Sequence, residues 1–99
     1  MRKNDLPVYV LLRASKRTGK INKCMTGITP ALMKMWGLNN TRKNDITLII
    51  ERDTGRIIAV FTGTADGYPK TENIKEDAMC TDMGIPLEEL QAITDDRFD

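Results

Sequence analysis

Five basic side chains crowd eleven consecutive positions near the start of the chain, around a polar segment that contains a glycine. They are Arg13, Lys16, Arg17, Lys20 and Lys23. Arginine and lysine neutralise the phosphates of nucleic acids, and a two-stranded β-ribbon fits the major groove of DNA. Arg42 and Lys43 form a second, smaller basic group. We therefore predict nucleic-acid contacts for all seven residues, the alternative being a solvated turn that keeps an edge strand soluble.

The residue types that serve catalysis and metal binding are sparse in this chain. It contains no histidine, which removes Ser-His-Asp and Cys-His nucleophile pairs and histidine-ligated zinc sites. Cys24 and Cys80 are 56 positions apart and lack the C-x-x-C spacing of a zinc or redox pair. Paired-carboxylate catalysis stays open, because a sequence does not show which acids meet in space. We expect buried thiols, no cofactor, no metal and no enzymatic activity.

The net charge of +1 conceals an uneven distribution of charge. Residues 1–43 carry ten basic side chains and one acid, whereas residues 44–99 carry five basic side chains and thirteen acids, which gives +9 and −8. Such a split is typical of a chain in which one part meets a polyanion or an acidic partner. The alternative is a dipolar fold whose halves attract each other within one molecule or between two copies.

Strand patterns place the basic cluster on a β-hairpin. The segment 6–13 (LPVYVLLR) is rich in β-branched and aromatic residues and is apolar on both faces, so we expect it to be covered on both. The polar turn 14–20 follows, and a second strand over about 21–25 completes the hairpin.

A second hairpin is predicted in the middle of the chain. Its strands are 46–51 (ITLIIE) and 56–61 (RIIAVF), and Gly55 sits in the turn where a positive φ is needed. Alternate residues of a strand share a face. The set expected to face the core is Ile46, Leu48 and Ile50.

A helix signal lies between the two hairpins. Thr29 suits the N-cap position, Pro30 the first helical position and Gly37 a left-handed terminator. This helix is apolar nearly all round, so its own sheet or a partner must cover it. The residues predicted at a protein interface, which a homodimer would bury, are Met33, Met35 and Trp36.

The last part of the chain, 71–99, is predicted to be an acidic helical tail. Asn73 and Glu76 have the spacing of a capping box, which predicts a helix over about 74–83. Pro86 suits the first position of another helix. Most of the acids fit the solvated faces of these helices.

Between Gly27 and Val60, the order of strand, Ile28-Thr29-Pro30, short helix, Gly37-Leu38 and hairpin resembles AbrB- and MazE-type swapped-hairpin domains. Asn44-Asp45 stands where that family places Gly-Asp before its hairpin. The match covers about a third of the chain. The resemblance implies a dimer in which strands and basic residues contact DNA.

Together these features predict one small α+β domain over 1–99, with the order β-β-α-β-β-α-α and antiparallel hairpins packed with short helices. A basic hairpin and short helix occupy 1–43, a hairpin 44–62 and the acidic helical tail 71–99. No apolar run approaches the roughly 20 residues needed to cross a bilayer, and the N-terminus has no apolar signal core. We therefore expect a cytoplasmic protein without a membrane partner.

Two functions are compatible with the sequence. The first hypothesis is a small regulatory or accessory protein that binds nucleic acid, expected to be duplex DNA, through its basic N-terminal hairpin. The alternative is a protein-binding adaptor or inhibitor, which would act through its acidic helical C-terminal region or its Met/Trp helix, or bind an acidic protein surface.

Overall fold

A computed structural model describes residues 7–67 and 69–97, with side chains up to residue 92, and shows a five-stranded sheet with helices on both faces. Arg2 and Lys3, which contribute to the basic half, lie outside the described residues. The strands are β1 (Tyr9–Ser15), β2 (Ile21–Gly27), β3 (Asp45–Glu51), β4 (Ile57–Thr62) and β5 (Lys70–Glu72). The helices are α1 (Pro30–Asn40), a short 3₁₀ helix (Cys80–Met83) and α2 (Leu87–Arg97). The α+β class is confirmed, whereas the three-residue β5 was not predicted.

β1 lies inside the sheet, because the strand order is β2-β1-β3-β4-β5 and all neighbours are antiparallel. It pairs with β3 from Tyr9↔Glu51 to Ser15↔Asp45. Its three central residues, Val10 to Leu12, are at most 2% exposed. Successive side chains of a strand point to opposite faces, so this burial requires cover on both. The expectation that segment 6–13 is covered on both faces is confirmed for residues 10–12, whereas Tyr9 and Arg13 are half-buried.

Two apolar clusters lie on the two faces of the sheet. The face under the 3₁₀ helix and α2, here the α2 face, carries Val10, Leu12, Leu48, Ile50, Ile57, Val60, Cys80 and Leu90. The α1 face carries Leu11, Met33, Ile49, Ala59 and Phe61. The predicted core set of Ile46, Leu48 and Ile50 does pack on the α2 face. Thr47 and Ile49 on the other face are equally buried, because α1 covers them.

α1 begins as predicted, with Pro30 as its first residue. The predicted cap by the Thr29 side chain is wrong, since this side chain makes no capping hydrogen bond. The carbonyl of Thr29 instead accepts the Met33 N–H at 3.3 Å.

Gly37 does not end α1, so the predicted terminator is wrong. The helix continues to Asn40, and a Cβ at the buried Gly37 would lie 2.8 Å from Cδ2 of Phe61. The glycine therefore allows α1 to approach the sheet closely. The helix ends at Thr41, whose N–H and hydroxyl donate to the Gly37 carbonyl at 3.1 Å and 2.6 Å.

The helix predicted over 74–83 is also wrong, and backbone pairing explains why. The Ile57 N–H donates to the Ala78 carbonyl at 3.0 Å, and the Cys80 N–H donates to the Gly55 carbonyl at 2.7 Å. Backbone groups that a helix would pair internally are therefore paired with the β3–β4 hairpin. The last four residues of the segment wind into the 3₁₀ helix. The third predicted helix is confirmed as α2, which follows Pro86 directly.

Gly37→Ala is expected to lower the free energy of unfolding by about 1–3 kcal/mol, as over-packed core substitutions do. The clash with Phe61 would outweigh the gain of about 1 kcal/mol that alanine has over glycine in a helix. Urea denaturation measures the change. Asn39→Ala, at an exposed position of the same helix, is the control and should not destabilise. Equal or higher stability of Gly37→Ala would show that Phe61 moves aside freely.

The two thiols should react at different rates. Burial raises the pKa of the Cys80 thiol, mainly through desolvation, whereas Cys24 is half-buried. Because the thiolate is the nucleophile, an aromatic disulfide reagent should modify Cys24 first and Cys80 when the protein opens. The raised pKa belongs to the folded state, so stability should be unaffected at neutral pH and fall above roughly pH 8.5, where an unfolded thiol ionises. A fast-reacting thiol in Cys24→Ser would contradict this.

Candidate nucleic-acid interface

One end of the sheet gathers loops that are distant in the sequence. β1 and β4 end there, and β2, β3 and β5 begin there, because all neighbouring strands are antiparallel. The turn 16–20, the loop 41–44 and the loop 63–67 therefore lie side by side. We call this surface the basic end, after its exposed cations. These are Lys16, Arg17, Lys20, Arg42, Lys43 and Lys70.

Backbone contacts fix the three loops to one another. The Lys16 N–H donates to the Asn44 carbonyl at 2.7 Å, and the Lys16 ammonium lies 3.4 Å from the Gly63 carbonyl. The Gly63 N–H donates to the Asp45 carbonyl at 3.2 Å. A Cβ at Gly63 would overlap the carbonyl of Arg42, so this packing requires glycine. The turn and the second basic group are thus held together by the main chain and do not depend on long side chains meeting.

The cations of the basic end form no ion pair with any of the described residues. The ion pairs of residues 7–67 and 69–92 are Arg13–Asp45 at 3.8 Å and Arg52–Asp53 at 3.9 Å, and neither involves a basic-end cation. Asp66, in the loop 63–67, is an exposed acid at the same end. Six cations on one end of an 11.2 kDa protein create a positive potential there.

Arg13 has a different environment from the other predicted cations. Its Nε donates to Oδ1 of Asn22 at 2.7 Å, and its Nη1 donates to the Asn40 carbonyl at 2.8 Å. Its guanidinium carbon lies 5.4 Å from the centre of the Trp36 ring. Since Asn40 is the last residue of α1, the cation meets the negative end of the helix dipole. With Asp45 paired to it as well, Arg13 ties α1 to the sheet and contributes little charge to the basic end.

Lys23 also lies on the α1 face, opposite Arg13 in the β1–β2 pairing. Its Nζ is 5.9 Å from the centre of the Trp36 ring, which is a cation–π distance. The residue is exposed, so its charge stays accessible on the flank of the basic end.

The three residues predicted at a protein interface are separated by the fold. Met33 is 4% exposed and belongs to the core under α1. Trp36 is half-buried beneath Arg13 and Lys23. Met35 is 58% exposed on the outer side of the helix, so it is the one of the three with a largely exposed side chain.

A cavity of about 390 Å³ opens on the α2 face beside Lys16. Its walls are mainly apolar, and Glu89 is the one carboxylate among its described lining residues. Paired-carboxylate catalysis needs two acids at one site. The described part of the chain also holds no group of three or more acids or cysteines that could bind a metal. Glu89 and Lys16 line the same cavity, so a carboxylate of α2 faces the side of the basic end that opens on the α2 face.

No protein-family model matches the chain, and neither a curated protein nor a solved structure is significantly similar to it. Residues 27–60 do form a strand end, helix and hairpin in the order of the AbrB- and MazE-type domains. Both hairpins, however, join one sheet within a single chain. None of the described helices is long and apolar enough to span a bilayer.

Arg13→Met is expected to lower the free energy of unfolding by about 1–3 kcal/mol, because it leaves the Asn40 carbonyl and Asp45 without their charged donor. Arg17→Met, which removes an exposed cation, should stay within about 0.5 kcal/mol of the parent protein. Urea denaturation measures both. Trp36 is the single tryptophan, so its emission should shift in the Arg13 variant. Equal stabilities would refute the anchoring role of Arg13.

Proposed function

We propose that the protein binds nucleic acid, with duplex DNA as the ligand class, through phosphate contacts made by the basic end. The observation that carries the proposal is the 2.7 Å hydrogen bond between the Lys16 N–H and the Asn44 carbonyl. It joins the turn 16–20 to the loop 41–44 and so brings five of the seven predicted cations together. Neutralisation of several phosphates by clustered lysine and arginine is the main source of sequence-independent affinity for DNA.

The structure favours contact by the tip of the sheet over insertion of a β-ribbon. β1 is an inner strand, and the hairpin it forms with β2 packs against α1 on one face and α2 on the other. The major groove is about 12 Å wide, which is enough for a bare ribbon or one helix but not for a sheet with helices on both faces. The turn 16–20 lies at the end of the sheet, where its exposed cations can contact phosphates without entering a groove.

The turn 16–20 and the adjoining Ser15 carry hydroxyl groups that can contact the phosphate backbone of DNA. Ser15 Oγ accepts the Arg17 N–H and Thr18 Oγ1 accepts the Lys20 N–H, both at 3.2 Å. Each hydroxyl accepts a bond from the turn and keeps its own proton for donation to a phosphate oxygen. No aromatic side chain is among the described residues of the turn 16–20 or the loop 41–44, so base stacking is not part of the proposal. Contacts of this type suit an accessory or regulatory protein with little dependence on sequence.

The alternative function, a protein-binding adaptor, is favoured by a separate surface. The outer side of α1 exposes Leu32 and Met35, at 63% and 58% of their surface. These side chains point away from the sheet and do not belong to the basic end. Binding at the two surfaces is therefore not mutually exclusive.

The decisive experiment compares two double substitutions at opposite ends of the sheet. Anisotropy of a labelled duplex should give a plot of log affinity against log salt with a slope of about −4 to −5 for the parent protein. Arg42→Gln with Lys43→Gln should reduce the steepness by about 2, or roughly 1 for each phosphate that is no longer neutralised. Replacing Lys16, Arg17 and Lys20 by glutamate should abolish binding.

Arg56→Gln with Lys75→Gln is the matched control. Both residues are exposed, and they lie beside the start of β4, at the end of the sheet opposite the basic end. This pair removes the same charge and should leave the slope unchanged. Equal effects of the two pairs would show that net charge, and not the basic end, drives binding. Absence of binding to duplex DNA at low salt would refute the proposal.

A further inference from the structure

The outer face of α1 is an apolar surface that the described chain leaves uncovered. Six large apolar side chains are more than 40% exposed among the described residues, and four of them fall within residues 28–38. Leu32, Met35 and Leu38 are spaced three residues apart, so they form one stripe along the helix. Ile28, two residues before the first residue of the helix, is also exposed. We call these four residues the α1 stripe.

The stripe is not required by the core of the protein. The opposite side of α1 already fills the core, with Met33 in the apolar cluster and Gly37 against Phe61. α1 is therefore apolar on both sides, a pattern typical of a helix covered on both. Single exposed apolar residues are ordinary, but a concentrated patch marks a contact surface.

We propose that the α1 stripe is the interface of a homodimer, in which α1 of one copy packs against α1 of its partner. The near absence of charge on α1 favours a second copy of this chain as the partner. Lys34 is the single charged residue of α1, so the stripe offers a partner almost nothing with which to form ion pairs. Two copies bring uncharged surface to uncharged surface, and a two-fold contact needs one self-complementary patch. Ala31, exposed beside Met35, permits close approach of the two helices.

The apolar area of the α1 stripe indicates how tightly two copies are expected to associate. Four roughly half-exposed side chains leave on the order of 300 Å² of apolar surface per copy, which is at the lower end of the largest apolar patches on monomeric proteins, patches that are often functional. A stable interface buries about 800 Å² per partner, of which somewhat more than half is apolar. The stripe would thus supply most of the apolar centre of a small interface. We expect a weak dimer, with a dissociation constant above about 1 µM.

Sedimentation equilibrium of the full chain without nucleic acid tests the proposal independently of DNA binding. Between about 10 and 500 µM the protein should pass from monomer towards dimer. Leu32→Glu or Met35→Glu should weaken dimerisation at least about tenfold, because each would bury a charge. Both positions are mostly exposed, so the fold should persist, as circular dichroism would verify. A protein that stays monomeric throughout this range overturns the proposal.

Met83→Glu is the matched control, since Met83 is 49% exposed but lines the cavity on the α2 face. It should leave the association constant unchanged. If Met83→Glu weakens association as much as Leu32→Glu does, association is a general effect of exposed apolar residues and the α1 stripe is not the interface.

The methionine methyl groups provide a second, residue-specific readout. Of the six methionines, Met35 lies on the stripe, Met33 is buried under α1 and Met83 lies on the opposite face. On dilution of methyl-labelled protein, the Met35 signal should shift while the Met83 signal stays in place. A shift at Met83 with none at Met35 would overturn the proposal, whatever the sedimentation result.

Discussion

The pairing of β1 with β3 is the constraint on which the rest of the molecule depends. Seven residue pairs, from Tyr9↔Glu51 to Ser15↔Asp45, join two hairpins that are separated in the chain by α1. A slip of one residue would turn every side chain of β1 to the other face of the sheet. Val10 and Leu12 would leave the core under α2, and Arg13 would lose Trp36 and the end of α1. The same register places the end of β1 beside the start of β3, which creates the basic end.

How much the sequence predicts depends on whether the deciding interaction is local. The β3–β4 hairpin is recognisable because its turn needs Gly55, whose φ is 76° in the structure. The helix expected over 74–83 does not form because carbonyl and N–H groups of that segment pair with Ile57 and Gly55, which are 21 and 25 positions away from their partners. Gly37 is misread for a similar reason: Phe61 decides its role, and no pattern near Gly37 reveals that contact. Propensity and capping signals are weak where tertiary contacts compete with them.

The candidate site shows the same division. The basic cluster is visible in the sequence, but the different environments of its members are not. Arg13 is hydrogen-bonded to the end of α1, whereas Lys16, Arg17 and Lys20 are exposed to solvent. Lys70 was missed because β5 is short and exposed, and its place in the sheet depends on pairing with Thr62. The sequence predicts that α1 needs cover from its own sheet or from a partner, because the helix is apolar nearly all round, but it does not show which residues form the α1 stripe. The sequence does not show whether Met33 or Met35 is exposed. The structure decides this, because Phe61 and Ile49 pack on the side of α1 that carries Met33.

The strand order has a consequence for how the chain reaches its native state. Each hairpin closes over a short loop, and hairpins form in about 1–10 µs. The β1–β3 ladder instead joins residues up to 42 positions apart, since Tyr9 pairs with Glu51, and such long-range closure slows folding. The Lys16–Asn44 contact lies just beyond the end of this ladder, so the turn 16–20 and the loop 41–44 meet only where β1 and β3 are paired. A ligand that binds only the assembled basic end would therefore also stabilise the β1–β3 pairing.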